Sequence, residues 1–208
     1  MATAANPWLA PEETVPQEAD PEPAPPAAPA LTGPAAPQAG VPAPAEDQRL
    51  PVVAVGDEAS LWVVGAHGGS AESTIAALSA SWRATSHRWP APATGAPARA
   101  VLTARLSVSG IQAAQAAATQ WACGLVPDVE LLGLVLVADE PGRAPRPVRD
   151  LARVVGGGVP RTWQVPWIRT WRLGEPPDLT GSPSAVRALV KDLAALSGDD
   201  TTNREDRA

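Results

Sequence analysis

The chain has 208 residues, 25 prolines, eight tryptophans, no Phe or Tyr, and a formal net charge of −6. That length holds one domain plus tails. The single cysteine, Cys123, excludes an internal disulfide, and the longest apolar run, Leu131 to Ala138, falls far short of the ~20 residues of a spanning helix.

The N-terminus has no basic, apolar leader, so the expected setting is cytoplasmic, without membrane insertion. Residues 1–50 hold 12 of the 25 prolines, seven acids and one base. Such a stretch buries too little apolar surface to offset chain entropy and is expected to be a disordered, extended acidic arm. Its net charge of −6 equals that of the whole chain; residues 198–208, a second disordered tail, carry −2, which leaves +2 for a folded core over residues 51–197. A nearly neutral core with no recognition motif gives no reason to expect nucleic acid as a partner. Within the arm, Trp8 beside Leu9 departs from low complexity and is a candidate docking element for a protein partner.

The core is read from Pro51 onward. Residues 52–55 form a lead-in or edge strand. Leu61-Trp62-Val63-Val64-Gly65 then reads as a buried strand, Ala66 to Ala71 as a small-residue loop, and Glu72 to Arg83 as a helix with Ile75, Leu78, Ser79 and Trp82 on one stripe. Residues 86–100 are a loop by their proline content. Three more units follow: strand 100–106 with helix 111–123, strand 129–138 with helix 147–155, and strand 161–165. Val/Leu-rich strands separated by helices predict a three-layer α/β/α domain around a small, mainly parallel sheet.

The turn between the first core strand and its helix has the layout of a phosphate-binding loop, in which backbone N–H groups converge on an anion. Against the pattern G-x-x-x-x-G-K-[ST], Ala66 and Ala71 stand at the glycines, Glu72 at the lysine and Ser73 at the hydroxyl. His67-Gly68-Gly69-Ser70-Ala71-Glu72-Ser73-Thr74 resembles the deviant loop K-G-G-x-G-K-[ST]-[ST] of the ParA/MinD family of P-loop ATPases, with His67 and Glu72 in place of both lysines. It also resembles the loop of uncharacterised proteins of high-GC Gram-positive bacteria in which His-Gly-Gly and a glutamate recur. The segments from Leu132 to Asp139 and from Val159 to Trp167 look like later strands of the ParA/MinD family. The resemblance implies a truncated P-loop domain with an ATP or ADP pocket, and it places Trp163, Pro166 and Trp167 beside the base as stacking candidates.

Charge limits what the resemblance carries. Exchanging lysine for glutamate turns an attraction of about 4 kcal/mol at about 4 Å, in an effective dielectric of ~20, into a repulsion of similar size. No acid occurs between Glu72 and Asp128, so the carboxylates that hold magnesium in the family have no counterpart there. Three readings remain: a glycine-rich turn capped by Glu72, an altered nucleotide pocket, and a nucleotide fold reused for a partner. Arg105, at the end of the second core strand, is a candidate to pair with Glu72 or to supply the missing positive charge. The expected function is a non-hydrolysing adaptor or regulator, needing no cofactor; the alternative is a switch that binds ATP or ADP through Arg105 and the loop backbone. No Cys, His or carboxylate set has metal-ligand spacing. Arg143, Arg146, Arg149 and Arg153 form a basic helix face, either merely solvated or facing an acidic partner or the chain's own acidic tail.

Overall fold

The computed structural model describes residues 30–56, 58–93 and 95–199. Trp8 lies outside the described residues, as does most of the arm and most of the C-terminal tail.

Alternation of apolar side chains to both faces builds the sheet. Five parallel strands, β2 (Leu61–Gly65), β3 (Trp82–Ala84), β5 (Ala98–Arg105), β6 (Val129–Val137) and β7 (Thr162–Val165), stand in the order β3-β2-β5-β6-β7. Trp62, Val64, Leu102, Leu134 and Leu136 face one side, where α2 (Val108–Ala122) and α3 (Arg146–Gly156) cover them. Leu61, Val63, Val101 and Val135 face the other, under α1 (Glu72–Ala76) and α5 (Ser184–Ser197). A strand buried on both faces must be apolar at every position, which is the pattern of β2. Each such side chain contributes roughly 1.5–3 kcal/mol by leaving water. The architecture is a three-layer α/β/α fold.

Strand order reverses between β2 and β5. From β2 the chain crosses to β3 over the α1 face; from β5 it crosses to β6 over the α2 face. Such a reversal is the place where open α/β sheets hold ligands; here the two loops that leave β2 and β5 are in contact, with Arg105 bonded to His67 and Gly69.

Several boundaries differ from expectation. The helix expected over 72–83 ends at Ala76: Ser79 and Ser81 turn the chain by hydrogen bonding to Asp199, and Trp82 reaches the core as the first residue of β3. The expected loop over 86–100 contains β4 (Trp89–Pro92), which pairs in parallel with β1 (Val52–Val55) as a separate two-stranded sheet. Trp89 and Ala93 donate their N–H groups to Pro51 and Val55, so Pro90 and Pro92 fall on positions where no donor is needed. The arm was expected to run to residue 50, but the chain joins the core earlier. Thr32 N–H donates to Pro160 O and Gln38 N–H to Ala122 O, while Gln120, buried in α2, bonds both backbone groups of Leu50 and the indole N–H of Trp89. Helix α5 was not anticipated; Val186, Leu189, Val190 and Leu193 at helical spacing bury against the sheet. A four-residue helix, α4 (Arg169–Arg172), carries Trp171. Among the described residues no helix is long and apolar enough to cross a membrane.

Candidate functional site

The loop between β2 and α1 leaves the carboxyl end of β2 at the point of reversal as a tight turn. Gly69 has φ +77° and Ala71 has φ +71°. The left-handed conformation is natural for glycine but costs an alanine about 1–2 kcal/mol. That an alanine adopts it means the surroundings enforce the turn.

What enforces it is a set of side chains gathered around Gly65, the last residue of β2. Ser70 is buried, its hydroxyl 3.2 Å from that of Thr103 on β5, and its N–H donates to His67 O. Glu72 is buried too, only 6% exposed. Its Oε1 accepts from Thr85 N–H at 3.0 Å, Thr85 Oγ1–H at 3.2 Å and His87 N–H at 3.2 Å; its Oε2 lies 3.1 Å from His87 Nδ1. A Cβ on Gly65 would collide with His87 Nδ1, Ser70 Oγ and Glu72 Oε2 together, so only glycine fits. Ser86 and His87 are themselves left-handed, at φ +56° and +59°, and the Glu72 carboxylate holds this turn from inside.

The expected pair of Glu72 with Arg105 does not form. Glu72 turns toward the segment after β3 because backbone N–H groups there satisfy its oxygens. Arg105 instead donates from Nε to Gly69 O at 2.7 Å and from a terminal nitrogen to Ala138 O at 3.3 Å. Burial pushes its guanidinium below the usual value; Asp139 opposes that shift and Arg172 adds to it. Beside it, Arg105 N–H donates to His67 Nε2 at 3.1 Å, which leaves Nδ1 as the protonated ring nitrogen, facing Gly68 O at 2.8 Å. Gly110 at the start of α2 makes room for that ring, since a Cβ there would meet His67 Nε2 and Arg105 O. Ser107 caps α2 by accepting from Gly110 N–H.

Of the remaining candidates, Gly68, Gly69 and Ser73 are exposed and Thr74 is half-buried on the first turn of α1. The loop residues His67 to Thr74 and Arg105 thus come together. Trp163 does not join them as a free stacking surface: its Nε1–H donates to Asp192 of α5 at 3.0 Å and its ring packs in the α5-side core. Pro166 is exposed and Trp167 half-buried just beyond β7. Sequence reasoning missed Thr85 and His87 as partners of Glu72. The available signal was thin: His87 is one of only two histidines, and its N–H finds Glu72 across 15 positions of chain.

Residues 59–190, more than half of the chain, match the model of a protein family described as "Family of unknown function (DUF6668)". No curated protein and no solved structure matches the chain significantly.

Proposed function

The chain belongs to the Family of unknown function (DUF6668), and we propose that it acts as a non-hydrolysing adaptor or regulatory protein built around a P-loop-like turn. One observation carries this reading. Both residues at the positions where the ParA/MinD pattern has lysine are spent on contacts within the protein: His67 bridges Arg105 N–H and Gly68 O, and Glu72 is saturated by Thr85 and His87. A lysine serving a triphosphate needs a free ammonium at the loop mouth. Here that position holds a buried carboxylate. The likeness to ParA/MinD proteins then concerns the order of strand, His-Gly-Gly turn and helix, with the turn acting as scaffold and a protein as the partner.

A second reading, a switch that binds ATP or ADP, is favoured by Arg105, whose charge lies against the loop at Gly69 O, and by open space above Gly68 and Gly69. Calorimetry of the full chain with ATP and ADP, with and without magnesium, separates the two. The adaptor reading expects no binding heat at millimolar nucleotide. Micromolar affinity abolished by Arg105→Gln would replace it with the switch.

A further inference from the structure

A cleft of about 950 Å³ runs between α3 and β7, from Ala138 and Pro166 just beyond the carboxyl ends of β6 and β7 to Gly157 and Thr162 at the amino end of β7. Arg143, Arg149 and Arg153 line it, and no carboxylate does. Its floor includes Ala152 and Gly156. Arg153 is already paired with Asp150 at 2.9 Å, a carboxylate it shares with Arg146. Arg149 is different: its Nε is buried with no hydrogen-bond partner among the described residues. Arg149 has no carboxylate partner among the described residues, and three guanidinium groups in one lining favour an occupant that carries oxygen and negative charge.

Thr32 also lines the cleft, held there by its N–H bond to Pro160 O. The chain N-terminal to it therefore starts at the rim. In that stretch Glu12, Glu13, Glu18, Asp20 and Glu22 are the acids and there is no base. We propose that the cleft is a binding site for an acidic, proline-rich segment and that its occupant is residues 12–22 of the same chain.

Charge and tether both support this assignment. Carboxylates meet guanidinium groups in charge-assisted, often two-point hydrogen bonds, and the small-residue floor admits Pro and Ala side chains between them. Glu22 is separated from Thr32 by residues 23–31, which include Pro23, Pro25, Pro26 and Pro29. At ~3.1 Å per residue a proline-rich spacer of this size reaches about 30 Å, enough to fold back over the cleft. A short tether also gives an effective concentration in the ~mM range, so individually weak ion pairs suffice. The inference does not depend on the nucleotide question, because none of these groups belongs to the loop after β2.

The test uses a fluorescein-labelled peptide of residues 10–24 and two full-length chains, the natural one and one carrying Glu12→Gln, Glu13→Gln, Glu18→Gln, Asp20→Asn and Glu22→Gln. Anisotropy titration is expected to show the neutralised chain binding the peptide about ten-fold more tightly than the natural chain, whose own arm competes. Adding Arg149→Gln to the neutralised chain should weaken the peptide about five-fold, as should raising the salt to about 0.5 M. Circular dichroism of each variant verifies that it is folded. Equal affinity for the two chains would mean that the cleft takes acidic segments from outside and not its own arm, which overturns the proposal. No binding to either chain, or binding indifferent to Arg149→Gln, overturns it as well.

Discussion

The loop after β2 and the cleft beside α3 belong to one sheet, yet their hydrogen-bond accounts are opposite. Around the loop, Glu72, His67, Ser70 and Arg105 are all bonded within the protein. In the cleft, Arg149 keeps a buried donor without an acceptor among the described residues, and Arg143 shares the same lining. The loop has a defined turn shape and the cleft has the unmet demand. Shape is set by backbone torsions, which a sequence motif encodes; demand is set by which side chains end up unpaired, and that depends on the whole fold. Binding needs the second at least as much as the first.

This contrast can be broken by mutation, and the largest effect should come from its most bonded member. Glu72→Ala leaves His87 N–H without its acceptor and Thr85 N–H with Val63 O alone, and urea denaturation should register a loss of about 3 kcal/mol. A loss below about 1 kcal/mol would mean that the turn after β3 holds itself. Gly65→Ala drives a methyl group into the same cluster and should cost about 2 kcal/mol by the same measurement, with the Glu72 contacts displaced. Ala71→Gly should raise stability by about 0.5 kcal/mol, because relief of the left-handed strain outweighs the added freedom of the unfolded chain. In the cleft, Arg149→Gln should leave stability within about 0.5 kcal/mol of the natural chain, since no bond to it is lost. If this variant were as damaging as Glu72→Ala, Arg149 would be as fully bonded as Glu72 and the two regions would not differ.

The sheet was readable because its strands are buried on both faces: β6 is apolar at all but Glu130, and no other element of that length tolerates so little polarity. Helix α2 was readable from its alanines and α3 from its proline-led start. Strand β3 was not, because Trp82 falls at helical spacing from Ile75 and Leu78 and all three do share one core, reached from two different elements. Strand β4 was hidden by Pro90 and Pro92, whose compatibility with pairing depends on which N–H groups face β1. At the candidate site, the left-handed turn was implicit in the spacing of its small residues. The direction of the Glu72 side chain was not, since its acceptor role is decided by donors that a neighbouring loop brings in.

The Thr85–His87 turn also restricts what position 72 can hold. Every group it presents to position 72 through its backbone is a donor, and Glu72 is the matching acceptor. A lysine placed there would set an ammonium against those N–H groups, donors facing donors, with Val63 O left to receive Thr85 N–H and no counterpart for His87 N–H. Position 72 can therefore take a lysine only if the segment after β3 is rebuilt around it: the neighbours of the glutamate are the reason it must stay.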